Sequence, residues 1–99
     1  VVILLNGKNK VIGTEVISEG TLSNSLVHPR EVYAPALLQH AAAIMVAHNH
    51  PSGDPAPSDE DREITKMLER SGKVLNIPLI DHLIIGDGTY YSFLENEAL

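Results

Sequence analysis

Residues 47–61 read AHNHPSGDPAPSDED, and we predict that the rest of the chain folds around this segment. The apolar run at 42–47 leads into it and predicts a buried strand. Three prolines and a glycine exclude regular structure over 51–57. Ser58 is a favoured N-cap, and the acids at 59–61 lie where a helix dipole favours negative charge. The segment is therefore predicted to be the end of a strand, a stiff loop and the start of a helix.

The chain before this segment contains two predicted strands. Residues 1–5 are a continuous aliphatic run, which is typical of a buried strand. The Asn6-Gly7 dipeptide favours a hairpin turn because it adopts positive φ at low cost, and a second strand is expected over about residues 10–18. The polar stretch 19–27 predicts a loop, with a short edge strand as the alternative.

A first helix is predicted to open at His28, with Pro29 in its first helical position. Apolar residues keep near-helical spacing as far as Ile44, and His40 falls among them, so His40 is expected on the buried side of this helix. Pro35 lies inside the pattern and is expected to kink or delay the helix.

The chain after the central segment contains a second helix and two further strands. Residues 64–71 follow the i, i+3, i+4, i+7 spacing of an amphipathic helix, which we expect to end at Gly72. Residues 77–85 predict a strand, and the turn at 86–88 returns the chain into a last strand at 89–94. The order β-β-α-β-loop-α-β-β predicts an α/β fold of the α+β type, in which two main helices flank one mixed sheet.

Length and composition limit the function classes. The 99 residues form one domain, and because the first residue already belongs to a strand pattern, we expect residues 1–99 to be the C-terminal fragment of a longer chain. No run approaches the ~20 apolar residues of a membrane span. The absence of cysteine leaves N and O ligands for any metal and fits a cytoplasmic protein. A net charge of −6 argues against broad binding to phosphate backbones, so we expect no nucleic-acid partner for this domain alone.

Three residues of metal-ligand type, His48, His50 and Asp61, fall within 14 positions. Residues i and i+2 of a strand point to the same side, so both imidazoles can converge on one ion, and Asp61 would lie in the first turn of the next helix. Two imidazoles and one carboxylate leave a fourth tetrahedral position for water, as in catalytic zinc sites. Ser58 is placed to stabilise an oxyanion. The competing interpretation is that Ser58 and Asp61 only form a capping box.

The complete pattern, His-x-His-Pro followed by a short loop and Ser-x-x-Asp, resembles the JAMM motif of the MPN+ metalloprotease family. The chain is still more similar to the bacterial RadC family, at residues 48–55, 57–58, 20–22, 27–31 and 81–88, and this resemblance covers essentially the whole chain. It implies a JAB/MPN architecture of the cytidine-deaminase-like, three-layer type. It also implies Zn²⁺ bound by the two histidines and Asp61, with Ser58 supporting the oxyanion.

The resemblance further implies a hydrolase that cleaves a peptide or isopeptide bond with metal-activated water, so the expected partner is a peptide or protein substrate. JAMM hydrolases use a glutamate at the head of the first strand as general base. That position lies upstream of Val1, and Glu15 or Glu19 are the alternatives within the chain. The DNA-repair label of RadC relatives is interpreted as an inheritance of the family name.

Two rival functions stay open, a non-catalytic metal-binding interaction module and a DNA-processing accessory domain. The chain has one basic stripe, which is either a solvated helix face or a surface for DNA: Arg62, Lys66, Arg70 and Lys73. An intact ligand set argues against a pure scaffold, and the negative net charge argues against DNA.

Several further polar residues have two interpretations each. His28 either lines the substrate groove or only begins a helix. Asp81-His82 lies on an otherwise apolar strand and needs hydrogen-bond partners, so it either orients a zinc histidine or forms a structural network. Acids near the ligands that we do not expect to bind metal are Asp54, Asp59 and Glu60. Polar loop residues that either present backbone to a peptide or only connect elements are Thr21, Ser23, Asn24 and Ser25.

Overall fold

A computed structural model describes residues 1–17 and 27–99 of the chain. Within them lie five strands and two helices: β1 (Val2–Leu5), β2 (Val11–Glu15), α1 (Pro29–Leu38), β3 (Ala43–Asn49), α2 (Asp59–Leu75), β4 (Leu79–Ile85) and β5 (Tyr90–Ser92). The order of elements is the predicted one. The predicted loop at 19–27, including Glu19 and the polar residues at 21–25, lies outside the described residues except for Val27, which is buried.

One mixed sheet contains all five strands in the order β2-β1-β3-β4-β5. Strands β3 and β4 are parallel, and the other three pairs are antiparallel. The parallel pair is joined by α2, because parallel neighbours need a crossover connection. The mixed sheet with two helices confirms the predicted fold class.

The hairpin between β1 and β2 is confirmed, but a different residue adopts the left-handed conformation. Asn9 has φ of 59°, and Gly7 is not in that region. Asn6 organises the turn instead, because its Oδ1 accepts hydrogen bonds from the backbone N–H groups of Lys8 and Lys10 at 2.9 and 3.0 Å.

Helix α1 begins at Pro29 as predicted and continues through Pro35, so the helix is not delayed there. It ends earlier than the apolar spacing indicated. His40 has φ of 56°, and Ala41 N–H donates to Ala36 O at 2.9 Å, which closes the helix with a Schellman-type turn. His40 is exposed in this position, so the prediction of a buried His40 is wrong. The apolar spacing in the sequence continues beyond Leu38, where the helix ends.

Helix α2 begins at the predicted N-cap, Ser58, but does not end at Gly72. It continues to Leu75 and is closed by Asn76 in the left-handed conformation, with φ of 59°. Gly72 has another function, because a Cβ there would lie 2.5 Å from Tyr33 Oη and 2.6 Å from Ile77 O. Gly72 therefore allows Tyr33 and the Ile77 carbonyl to pack closely against α2, and it does not end the helix.

The core lies between the helices and the face of the sheet that carries His48. One cluster of buried side chains includes members from both helices and from three strands: Val2, Leu4, Val27, Val32, Tyr33, Ala36, Ala41, Ile44, Val46, Ile64, Leu68, Ile77 and Leu79. Tyr33 Oη donates to Leu68 O at 2.9 Å and ties α1 to α2. The three-layer arrangement implied by the family resemblance stays a prediction. Neither helix in the described part of the chain combines the length and apolar character needed to cross a bilayer.

Candidate metal centre

The candidate metal centre forms where β3 ends and α2 begins. His48 is the penultimate residue of β3, and His50 follows the strand directly. Strand β3 lies between β1 and β4, so its end is held from both sides. His50 N–H continues the pairing with β4 by donating to Ile85 O at 3.0 Å. Carboxyl ends of parallel strands are common ligand positions in mixed sheets, because the following loops gather there.

The loop between the ligands is fixed against the turn that follows β4. Gly53 N–H donates to His50 O at 3.0 Å, and Asp87 N–H donates to Gly53 O at 2.8 Å. Gly53 has φ of 85°, which favours glycine. A Cβ on Gly86 would collide with the Gly53 carbonyl oxygen, so the two segments approach as closely as backbones can. The loop thus has a set position relative to β4.

Asp61 stands at the third residue of α2, within the capping box. Ser58 Oγ accepts from Asp61 N–H at 3.0 Å, and Ser58 N–H donates to Asp61 Oδ2 at 2.8 Å. The capping box considered from the sequence is therefore present. It does not exclude a catalytic use of Ser58, because the hydroxyl accepts one bond here and keeps its own proton to donate. The Ser58 residue is exposed.

The structure brings His48, His50 and Asp61 together, with one potential ligand atom from each within 4.8 Å of the others. His48 Nε2 lies 3.1 Å from Asp61 Oδ1, and His50 Nε2 lies 3.0 Å from Asp61 Oδ2. Ligand atoms that share a tetrahedral zinc ion lie about 3.3 Å apart, given Zn–N and Zn–O distances near 2.0–2.1 Å. These separations fit two atoms bound to one small cation.

Two of these atoms form no hydrogen bond within residues 1–17 and 27–99. His48 Nε2 and Asp61 Oδ1 are both buried and, among the described residues, neither makes a hydrogen bond, although they lie side by side. The Asp61 side chain is only 1% exposed and that of His48 only 6%. An unsatisfied buried polar atom costs about 1–3 kcal/mol. A cation between the two lone pairs would remove this cost for both.

Charge states at the centre also suit a cation. Burial alone would raise the pKa of Asp61, but hydrogen bonds from Ser58 and the nearby His48 and His50 outweigh it and lower that pKa below its ordinary value. Burial lowers the pKa of His48, against the opposing effect of Asp61. The centre therefore presents a carboxylate and a neutral imidazole at neutral pH, which are the forms that bind metals.

The ring orientation of His50 points to the same use. Its Nδ1 lies 2.9 Å from Asp54 O. A carbonyl oxygen can only accept, so Nδ1 carries the proton, and in the neutral ring the lone pair is on Nε2, which faces Asp61. Metal-binding histidines usually donate their other N–H in this way.

Comparison with known proteins shows the family of this chain. A family model described as the RadC-like JAB domain matches residues 1–98. This chain belongs to the RadC-like JAB domain family. A UPF0758 protein from Trichlorobacter lovleyi is 56% identical over 97 residues, which cover 98% of this chain and 42% of that protein. UPF0758 protein STH371 from Symbiobacterium thermophilum is 58% identical over 98 residues, or 99% of this chain and 42% of the relative. The chain thus spans less than half the length of these curated relatives.

In this RadC-like JAB domain, the other acids of the ligand loop stay outside the centre. Asp54 contributes its backbone carbonyl to His50 and its side chain to the loop, where Oδ1 accepts from Ala56 N–H at 3.0 Å. Asp59 and Glu60 are exposed on the first turn of α2. Among the described residues, the candidate metal-binding group contains none of the three.

Other candidates from the sequence lie at varying distances from the centre. His28 is the N-cap of α1 and makes no side-chain cap bond. Glu15 is exposed on the edge strand β2, opposite Val2 of β1. The four basic residues of α2 are all exposed, as expected for a solvated face: Arg62, Lys66, Arg70 and Lys73.

Thr65 was not singled out from the sequence, although it contacts the centre. Its Oγ1 lies 2.6 Å from His82 Nδ1, and His82 Nε2 lies 3.0 Å from His48 Nδ1. A signal for Thr65 was present, because it follows Asp61 by four residues and so lies on the same helix face. His82 does contact a candidate ligand, whereas its neighbour Asp81 bonds Ser92 and Leu94 and holds the C-terminal hairpin.

Proposed function

We propose that this RadC-like JAB domain is a zinc-dependent hydrolase that cleaves peptide or isopeptide bonds. The single observation that carries the proposal is the buried pair of His48 Nε2 and Asp61 Oδ1, which lie 3.1 Å apart and make no hydrogen bond within the described structure. His50 completes a donor set of two imidazoles and one carboxylate. This set matches open zinc sites, which keep one position for water or substrate.

The roles of the chain's own residues follow from their contacts. His48, His50 and Asp61 would hold the ion, and a bound zinc supplies water activation and carbonyl polarisation at neutral pH. Ser58 carries an exposed hydroxyl whose proton is available to an oxyanion that forms on the substrate carbonyl. The Asp61 bond to Ser58 N–H fixes that hydroxyl beside the centre.

A general base is needed to move the proton, and the sheet register limits where it comes from. Val2 pairs with Val46, so chain preceding Val1 in the same strand would run beside His48 and His50. We place the glutamate base there. Glu15 is the weaker alternative, because β2 is two strands away from β3 and so about 10 Å from it across the sheet.

The substrate is expected to be a peptide or protein in the cytoplasm. The net charge of −6 argues against a nucleic-acid substrate for this domain. Because the curated relatives are more than twice as long as this chain, the remainder of such a protein would contribute to substrate choice.

The first test measures metal content by elemental analysis. Wild-type protein is expected to bind about one zinc per chain, whereas His50→Ala and Asp61→Ala bind little. His40→Ala is the matched control, because this histidine is exposed and is not in the metal-binding group. Equal metal content in all four proteins would refute the site.

The second test addresses hydrolysis. A zinc-loaded chain that includes the segment before Val1 is incubated with a peptide library, and products are identified by mass spectrometry. We expect cleavage that Ser58→Ala reduces by roughly 10²–10³-fold in rate, the effect of losing one oxyanion donor. Full zinc content without cleavage would instead favour the interaction module. Salt-sensitive DNA binding that depends on Arg62, Lys66 and Arg70 would favour the DNA-processing domain.

A further inference from the structure

A continuous set of hydrogen bonds leads from the backbone of one candidate ligand to the side chain of another. Thr65 Oγ1 donates to Asp61 O at 2.7 Å and also contacts His82 Nδ1 at 2.6 Å. His82 Nε2 contacts His48 Nδ1 at 3.0 Å. His48 Nε2 then faces the side-chain carboxylate of Asp61, the residue whose backbone carbonyl begins the set. Thr65 and His82 are both completely buried, at 1% and 0% exposure.

The first member of this set determines where the protons lie. The Asp61 carbonyl can only accept, so the single Thr65 hydroxyl proton is directed to it, and Thr65 Oγ1 accepts from His82 Nδ1–H. Neutral His82 then has its lone pair on Nε2 and accepts from His48 Nδ1–H. The lone pair of His48 is consequently on Nε2, the atom that faces Asp61 Oδ1.

The opposite proton order leaves the N–H group of His48 Nε2 without a well-aligned hydrogen-bond acceptor. If Thr65 donated to His82, then His82 Nε2–H would donate to His48 and the His48 proton would sit on Nε2. That proton would need Asp61 Oδ1 as acceptor, but the two atoms are not aligned for a hydrogen bond and, within the described residues, have no other partner. The order that begins at the Asp61 carbonyl satisfies the contacts of Thr65 and His82 and turns the lone pair of His48 Nε2 toward Asp61 Oδ1, an arrangement that a cation between the two atoms would stabilise.

We propose that Thr65 and His82 are positioning residues that hold His48 in the tautomer with its lone pair on Nε2 and so prepare the centre for a metal. The inference rests on the proposed function, since it concerns the same centre. Its new element is that a helix threonine, through a second histidine, sets the metal affinity of a ligand it does not touch.

The surroundings of His82 support this assignment. Its ring stacks on Phe93 with centroids 4.8 Å apart and an angle of 7° between the planes. Its backbone N–H donates to Asp81 Oδ1 at 2.7 Å, and its carbonyl accepts from Phe93 N–H at 3.1 Å. The ring is thus fixed in plane and in register, and only its two nitrogens make polar side-chain contacts, one to each neighbour.

The experiment compares Thr65→Val, which keeps the shape and removes the hydroxyl, with Thr65→Ser, which keeps the hydroxyl. Zinc affinity is measured by competition with a chelator. Thr65→Val is expected to bind zinc about 10–100-fold more weakly, the usual effect of losing such an outer partner, and Thr65→Ser should remain close to wild type. Ser71→Ala is the matched control, because Ser71 Oγ makes the same type of bond, to Met67 O at 2.9 Å, at another position of α2.

A second measurement needs no variant. Nitrogen-15 NMR of metal-free wild-type protein reports the tautomer of each histidine, and we expect His48 and His82 both to carry their proton on Nδ1. Observation of the Nε2–H tautomer at His48 would overturn the inference. If the wild type binds zinc and Thr65→Val binds it equally tightly, this inference is overturned and the proposed function is not. A wild type that binds no zinc would overturn the proposed function as well.

Discussion

Burial holds individual side chains of this domain in single charge states, and Tyr33 shows the effect outside the candidate metal centre. Its ring is 1% exposed, and its hydroxyl donates to Leu68 O. Burial raises the pKa of Tyr33 to about 12, from an ordinary value of 10.0. The folded protein therefore keeps the phenol neutral over a pH range in which the unfolded chain ionises.

This shift predicts a stability change at alkaline pH. Below pH 10 the phenol is neutral in both states and contributes no pH dependence. Between pH 10 and about 12 only the unfolded state loses the proton, so the free energy of unfolding falls with rising pH, by at most about 1.4 kcal/mol per unit. Urea unfolding at pH 7 and pH 11 measures the loss. Tyr33→Phe should cost about 1 kcal/mol at pH 7 and show a smaller alkaline loss. An equal fall in the free energy of unfolding of both proteins between pH 7 and pH 11 would show that groups other than Tyr33 cause it.

At the residue scale, the sequence sufficed where contacts are local. His48 and His50 share a strand side, and Asp61 follows an N-cap by three positions, so short-range geometry brought them together. His82 and Thr65 are separated by 17 positions and meet only through packing of α2 on β4. Spacing along the chain contains no information about such a contact.

At the scale of elements, Gly72 shows that a glycine after an apolar helical pattern need not end the helix. Glycine after an apolar helical pattern usually marks a helix end. Here the helix continues for three residues, and the glycine exists because Tyr33 and the Ile77 carbonyl occupy the space of a side chain. That cause involves α1 and the connection between α2 and β4, neither of which is part of the pattern of α2 itself.

The close packing at Gly72 predicts that alanine there changes stability in the direction opposite to that expected from helix propensity. Alanine in place of glycine inside a helix normally stabilises by about 0.5–1 kcal/mol. Gly72→Ala should instead destabilise the domain by roughly 1–3 kcal/mol, because the new Cβ meets a backbone oxygen that cannot rotate away. Urea unfolding compares it with Gly7→Ala, where a Cβ would meet nothing within 4 Å. A Gly72→Ala variant at least as stable as wild type would contradict the packing explanation.

At the scale of the whole molecule, the sheet order joins distant parts of the chain at one centre. Apolar runs and turn signals predicted all five strands of the described residues, yet strand neighbours depend on pairings between remote segments. The parallel β3–β4 pair is the important one, because it places His48 beside the strand of His82. The β4–β5 turn then holds the ligand loop through Gly53 and Gly86.

Metal binding should therefore stabilise the whole domain. A ligand that binds only the folded state at 100 times its Kd adds about 2.7 kcal/mol to the free energy of unfolding. We expect zinc to raise the melting temperature of wild-type protein and EDTA to reverse the rise. His50→Ala should not respond, and it is a better control than Asp61→Ala, because Asp61 also closes the capping box of α2. An equal response from His50→Ala would show that zinc binds elsewhere.

The stacking of His82 on Phe93 has a consequence for biosynthesis. The ribosome releases the segment 48–61 well before residues 82 and 93, and the chain can complete the support of His48 only when β4 and β5 have been added. Until then His48 lacks the contact of its Nδ1 with His82 Nε2. Metal binding by the supported centre would therefore follow the synthesis of residue 93.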